Sequence, residues 1–379
     1  MTSKERLTAV FNRKQPDRLP IWMMFPYESE PIAADVYNEA SYKAVVEHVR
    51  QYTDFIERNV LNVEYLGSRE NKAVVDFLFH HPEVITEEST EADGPISITT
   101  KRVGYGDLKW EKKFRIEGER TTVIPFVKEP EDIRNIARLP FEVPMIDFST
   151  FREKAVNLGD RGLHGILVID PISTLHDICD ESDFTVWAYT ETALFEYFLD
   201  AVTPRLLAVY EEFLKNDVGE SFFLSGPEYV TAPLGTPEQF RRLVTRYDRR
   251  ITELVASYGK KTIIHCHGNV KEILPDIRIM NPDALQPMEP PPFGDCTLPE
   301  AREELGEDIV LMGNIEYTDL HEREPEEIHA LVRQAIEEGG PENFILCPSC
   351  TPYEDILPPK TAENYLAMID AGLRYGTIG

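Results

Sequence analysis

His265 and His267 stand two residues apart where the run Lys261-Thr-Ile-Ile-His-Cys-His-Gly-Asn269 ends. In an extended strand successive side chains alternate faces, so both imidazoles point one way and Cys266 the other. His-x-His at a strand end can place two neutral nitrogen ligands on one metal, and Gly268 lets the backbone turn away. Taken alone, the pair is equally compatible with core or surface histidines. A carboxylate, Glu289, and a thiol, Cys350, follow at equivalent places further along. Zinc takes imidazole, thiolate and carboxylate in a tetrahedral set, and catalytic sites keep one position for substrate or exchange a weak ligand for it. His265, His267 and Cys350 with Glu289 would complete such a site.

These residues converge only if the chain is a barrel. Leu19-Pro-Ile-Trp-Met-Met-Phe25 is a continuous apolar run stopped by Pro26, the pattern of a strand buried on both faces. An ambiguous second signal lies across Asp54-Phe-Ile-Glu57 and Asn62-Val-Glu-Tyr-Leu66. Strand-like runs then recur between helices at 165–170, 221–225, 262–265, 284–288, 309–313 and 343–347. About eight such runs predict an α/β protein with a closed (β/α)8 TIM barrel, whose working residues sit at the C-terminal strand ends. Helices are expected over Ser3–Asn12 and Asp35–Arg50, and Thr236-Pro-Glu-Gln239 and Thr297-Leu-Pro-Glu300 read as capping boxes. The strand ends carry Asp170, Glu228, His265, His267, Glu289, Asn314, Cys347 and Cys350. Asp170 and Glu228 are candidate acid–base or orienting carboxylates. Cys347, inside an apolar strand, reads as a buried thiol, whereas Cys350 lies in the following loop, where metal ligation is more natural. Trp22, Met24, Phe25 and Tyr27 leave the first strand together, as core or as an apolar substrate wall.

A segment from about 86 to 127 departs from the pattern. Three of its runs, 96–103, 109–116 and 121–126, alternate with period two and predict an antiparallel insertion turned at Gly104-Tyr-Gly106 and Glu117-Gly118. Its basic residues, Lys101, Arg102, Lys109, Lys112, Lys113 and Arg115, form either a solvated face or a docking face for an acidic partner. Otherwise a single domain over residues 1–379 is expected. The 39 basic and 67 acidic residues give a net charge of −28, which disfavours nucleic acid and anionic membrane as partners. The five cysteines follow no secreted disulfide pattern. No window approaches the roughly 18 apolar residues of a membrane span, and the N-terminus lacks the apolar core of a signal peptide, so a soluble cytoplasmic protein is expected.

With these residues in view, the chain resembles the uroporphyrinogen decarboxylase superfamily, and within it the branch of zinc- and corrinoid-dependent methyltransferases. The likeness runs from Lys4-Glu-Arg-Leu7 and Pro16-Asp-Arg-Leu-Pro20 through Gly226-Pro-Glu228 and Thr236-Pro-Glu-Gln-Phe240. It is clearest in His265-Cys-His-Gly-Asn269, Met312-Gly-Asn314 and Cys350 with Lys360-Thr-Ala-Glu-Asn364. The resemblance implies a (β/α)8 barrel. The decarboxylases carry arginines just after the first strand to hold tetrapyrrole carboxylates; here Trp22-Met-Met-Phe-Pro-Tyr-Glu-Ser-Glu30 has none. The thiol-methylating branch looks like His-x-Cys with a distant Cys, so His265 and Cys350 match its first and last ligands, His267 replaces the middle cysteine, and Glu289 falls where an additional acidic ligand stands.

Exchanging a thiolate for a neutral imidazole makes a zinc centre a stronger Lewis acid, suited to an oxygen leaving group. The expectation is therefore zinc-dependent demethylation of a methyl ether, an aromatic one preferred, with the methyl group passed to a corrinoid on a separate protein. Alternatives are transfer from methylcobamide to a thiol or folate acceptor, a decarboxylase-like or hydrolytic reaction using Asp170 or Glu228, and a non-enzymatic zinc-binding or corrinoid-chaperoning protein. A homodimer is compatible with the sequence.

Overall fold

Eight extended segments run parallel and close on one another in the computed structural model, which describes residues 1–28, 34–60, 79–118 and 120–378. Seven of them lie in one sheet whose neighbours, read from the last strand backwards, are Phe344–Pro348, Val310–Ile315, Ala284–Gln286, Lys261–His265, Ser221–Ser225, Gly165–Ile169 and Asn59–Val60. The segment 19–25 supplies the closure. Trp22 N donates to Leu346 O at 2.9 Å, Leu346 N to Pro20 O at 3.1 Å, and on the other side Asp54 N to Ile21 O at 2.7 Å. Phe55–Ile56 pairs in turn with Gly162–Leu163. The barrel expected from the strand count is therefore present among the described residues. Of the ambiguous second signal, Asp54–Glu57 lies in the barrel wall, while 62–66 falls outside the described residues.

Alternation along these strands divides the apolar residues into two cores. Trp22, Met24, Ile56, Leu163, Phe223, Ile263, Ala284, Val310, Met312, Ile345 and Cys347 fill the interior and pack with Leu7, Val10 and Phe11 of the N-terminal helix Ser3–Phe11. That helix starts on Thr2, whose side chain caps Glu5 in a capping box, and it plugs one end of the barrel. The intervening residues, among them Ile21, Met23, Phe25, Ile264, Cys266, Leu285 and Leu346, belong to the shell between strands and helices. Thr236 and Thr297 form the two expected capping boxes. The helix expected from Asp35 begins later: one 3-10 turn, Ala40–Tyr42, leads into Lys43–Tyr52. Asp35 instead accepts from the Asn38 backbone and side chain, a local turn that competes with helix.

The insertion is a four-stranded antiparallel meander of Ile85–Asp93, Ile96–Tyr105, Leu108–Glu117 and Arg120–Ile124. Its first strand has no periodic signature in the sequence, because Thr86-Glu-Glu-Ser-Thr-Glu91 lacks alternating apolar residues and is exposed throughout. Gly106 and Gly118 turn the chain at φ near 60°, whereas Gly104 lies within a strand. Of the six basic residues, Arg102, Lys109, Lys113 and Arg115 keep to the solvated side, as a solvated face would have them, and Lys101 and Lys112 do not. Lys112 is buried and donates to Asp177 O at 2.8 Å, Lys101 is buried beside Glu88, Arg102 and Lys113 share Glu111, and Arg115 pairs with Glu117. Trp110 fastens the sheet to the barrel side by donating Nε1 to Asp132 at 3.0 Å. Among the described residues no helix is long and apolar enough to cross a membrane.

Candidate active site at the barrel mouth

Because Ile263 faces the interior, His265 two residues later does too, at the C-terminal end of its strand. The His265 and His267 ring centroids are 4.5 Å apart and perpendicular, while Cys266 is buried in the outer shell. Each ring is engaged through Nδ1: His265 with Gln286 Oε1, and His267 with Glu289 Oε1 at 2.7 Å. Glu289 Oε2 accepts from Gly268 N at 2.6 Å, so this carboxylate grips the loop that carries His267. Gly268 occupies φ 82°, a conformation that favours glycine.

Burial, reinforced by the charge of His267, pushes His265 down to about 3, so this imidazole is neutral at physiological pH. Burial alone would lower His267 as well. The hydrogen bond and charge of Glu289, followed by the charges of Glu228 and Glu316, outweigh it and raise this histidine. Glu228, in the one-turn helix Pro227–Val230, is itself raised by burial.

Cys350 follows the last strand, partly buried. Its loop is tied to the neighbouring strand end: Ser349 N donates to Ile315 O at 2.8 Å, Ser349 Oγ donates to Glu316 at 3.0 Å, and Tyr317 N donates to Ser349 Oγ. Burial raises the Cys350 thiol, with the Arg58 charge acting against it. The structure thus brings His265, His267 and Glu289 together, with Glu228 and Glu316 close enough to act on His267. Cys350 stands in the same electrostatic field but not in contact with them. Among the described residues no three His, Cys, Asp or Glu side chains are gathered in a metal-enclosing geometry. Cys347 is fully buried in the barrel interior, as a structural thiol would be.

The apolar run of the first strand is divided. Trp22 and Met24 face the interior, Trp22 lying edge-on to Phe223 at 6.1 Å. Phe25 packs outside the wall against Tyr42 and Tyr365, and Tyr27 against Phe55 under Arg50. Of the residues read as core or as an apolar substrate wall, Trp22 and Met24 thus share the interior while Phe25 lies on the other side, since alternation sends neighbours to opposite faces.

Asp170 is fully buried and caps the helix Pro171–Ile178, with Oδ1 accepting from Ser173 N at 2.8 Å. It is packed so closely against Gly226 that a Cβ there would lie 2.3 Å from Oδ1. Asn314 lines a recess with Pro290, Thr297, Asp319 and Arg323.

Three residues of the mouth escaped the sequence reading. Arg58 holds its guanidinium 5.4 Å from the Trp22 ring centre and 5.6 Å from that of Phe223, and donates to Thr351 Oγ1 at 2.6 Å. Glu316 directly follows its strand, so the strand-end rule that selected Asn314 would have found it two residues on. Gln286 ends the sixth strand, but an uncharged amide gives little signal in a search for titratable groups.

The buried acids set a pH dependence of stability. Burial pushes Asp170 up to about 8 and Asp177 and Glu316 to about 7. For a carboxyl raised above its ordinary value, stability is full below that ordinary value and is lost as pH rises through the folded one. His164 and His176, lowered to about 4 by burial from 6.5, act oppositely, and their contribution is lost only as pH falls below 6.5. Above pH 6.5 the carboxyls therefore dominate. The denaturation midpoint is expected to fall between pH 6.5 and 8, and Asp170→Asn, which keeps a capping oxygen, is expected to flatten that fall. A midpoint constant over this window in the wild-type chain would contradict the assignment.

Known proteins are similar to this chain in both sequence and fold. Residues 162–375 match the family model described as Uroporphyrinogen decarboxylase (URO-D). The methylcobamide:CoM methyltransferase MtaA of Methanosarcina barkeri is 26% identical over 206 residues, 54% of this chain and 56% of that protein. The match therefore spans about half the length of this curated relative. Among solved structures, a methyltransferase from Methanosarcina mazei superposes with a TM-score of 0.62 at 16% identity, covering 99% of both chains. A B12-independent methionine synthase from Shewanella sp. W3-18-1 gives a TM-score of 0.53 at 11% identity, covering 94% of this chain and 97% of that one. At these identities the two structures speak to the fold. The family match covers six of the eight barrel strands and includes His265, His267, Glu289 and Cys350, and on that extent the chain belongs to the uroporphyrinogen decarboxylase family.

Proposed function

We propose that this protein is a zinc-dependent methyltransferase that removes the methyl group of a methyl ether, an aromatic one by preference, and delivers it to a corrinoid carried by a separate protein. The observation that carries the reading is the pair of imidazoles leaving one strand end 4.5 Å apart, one of them gripped by Glu289. The likeness to a methylcobamide:CoM methyltransferase supports the corrinoid link. The donor types fit zinc: His265 is a neutral imidazole, His267 is oriented by a carboxylate, and Cys350 offers a thiol, which burial raises while the Arg58 charge acts against that. His265, His267 and Cys350 would hold the ion, with Glu289 as the weak donor that yields to substrate. Bound there, zinc supplies Lewis acidity to an ether oxygen.

The chain's own residues do the rest. Trp22 and Phe223, buried edge to face under the Arg58 guanidinium with Met24 alongside, give the interior behind His265 an aromatic, apolar lining. Glu289 keeps His267 directed into the mouth, and Glu228 adds negative charge that favours positive charge at the same ring. Asp170, enclosed behind Gly226, maintains the strand end rather than meeting substrate.

The test is turnover with free cobalamin. Zinc-replete protein with reduced cobalamin and an aromatic methyl ether should form methylcobalamin and the free phenol. Consumption of methylcobalamin with a thiol or folate acceptor, and no reaction with any ether, would reverse the direction of transfer. Protein that stays free of zinc after metal-replete expression would overturn the reading altogether.

A further inference from the structure

We propose that Gln286 is a positioning residue that holds His265 in the tautomer with its proton on Nδ1, so that Nε2 presents its lone pair to the metal. The inference rests on the reading of His265 as a ligand, and goes beyond it in assigning what sets that ligand's proton. Gln286 is fully buried at the end of its strand and touches two groups of opposite character. Its Oε1 faces His265 Nδ1, and its Nε2 donates to Met24 Sδ at 3.3 Å.

Met24 fixes the direction. A thioether has no proton and can only accept, so it selects the amide nitrogen. The amide oxygen is then left for the imidazole, and an oxygen accepts only from a protonated Nδ1. A reversed amide would set its oxygen against the thioether and its N–H against Nδ1, which would force the ring proton onto Nε2 and occupy the electrons a metal needs. Met24 stands with φ 58°, in the left-handed region that non-glycine residues seldom adopt. Two contacts hold it there, its sulfur with Gln286 and its carbonyl oxygen with Arg58 Nη2 at 3.3 Å. The proton position on His265 is thus set by the first strand through the sixth.

The experiment uses the full chain with zinc as the probe. Affinity is read by competition with a chromophoric chelator, and the ring tautomer by nitrogen NMR of metal-free, 15N-histidine-labelled protein, the His265 signals being identified by their absence in His265→Ala. Gln286→Leu should bind zinc about 10- to 100-fold more weakly, the usual consequence of losing an outer partner of a ligating histidine, and should show mixed tautomers at His265. Gln286→Glu, whose carboxylate still accepts from Nδ1–H, should restore both. Met24→Leu, which keeps volume and removes only the acceptor, should show the mixed tautomers even if Gln286→Leu fails to fold. Wild-type affinity and an unchanged Nδ1–H signal in folded Gln286→Leu and Met24→Leu, with zinc still lost in His265→Ala, would overturn the positioning role alone. Zinc affinity unaffected by His265→Ala would overturn the metal assignment and this inference with it.

Discussion

His267→Ala is expected to purify without zinc and to lose methyl transfer by more than about 100-fold, since loss of an outer-shell partner alone costs about 10–100-fold in affinity or activity. The substitution removes a donor and also strips Glu289 of its partner, leaving that carboxylate only the Gly268 N–H in a site where His267, Glu228 and Glu316 already interact. Cys350→Ala should have the same direction and a comparable size. Glu289→Gln should be milder, because an amide oxygen still accepts from Nδ1–H of His267 while the charge is lost. Cys266→Ala is the internal control: its thiol lies in the outer shell, so zinc content should be unchanged even though it sits between the two histidines. Elemental analysis and the initial rate of methylcobalamin formation check all four. Stoichiometric zinc in both His267→Ala and Cys350→Ala would remove the foundation of the site.

That control works because the part of the site legible in the sequence was legible through periodicity. Strand alternation put His265 with His267 and Cys266 behind them, and the same period separates Trp22 and Met24 from Met23 and Phe25. The barrel could be counted because its buried strands are apolar runs bounded by helices with clear caps. Three kinds of information had no such signature. Arg58 was hidden because the second strand is short and its signal is spread over residues with mixed polarity. Gln286 acts through two contacts, one of them to Met24, 262 positions away in sequence, and no local pattern announces such a pair. The fate of charge was the third: Lys101 and Lys112 look like solvent residues by composition, yet both are buried, their stems covering apolar surface and their ammonium groups meeting Glu88 and the Asp177 carbonyl. Asp170 shows the same limit from the opposite side, since a carboxylate at a strand end serves equally as a catalyst or as a helix cap until packing decides.

Asp54→Ala is expected to be the most destabilising single change at the closed end of the barrel, at about 3–5 kcal/mol, the cost of removing one partner from a buried ion pair. The Asp54 carboxylate is fully buried and joins three elements. It accepts from Ser3 Oγ and from Arg6 Nη1 at 2.6 Å in the plugging helix, from Arg18 Nη1 at 3.0 Å ahead of the first strand, and from Ile21 N at 3.0 Å within it. Its own backbone N–H donates to Ile21 O, part of the closure between the first two strands. Removing the carboxylate leaves the Arg18 guanidinium without its acid and Arg6 with Asp17 alone, both largely withdrawn from solvent. Asp54→Asn should lie between the wild type and alanine: its oxygen still accepts from Ile21 N, but two cations lose their counter-charge. Chemical denaturation followed by circular dichroism measures the loss. Because this network lies at the plugged end and the histidines at the mouth, zinc bound per folded molecule should be unchanged in both variants. A variant that keeps wild-type stability would show that the two arginines find other partners when the helix shifts, and a variant that keeps its stability but loses zinc would show that the plug and the mouth are coupled through the barrel wall.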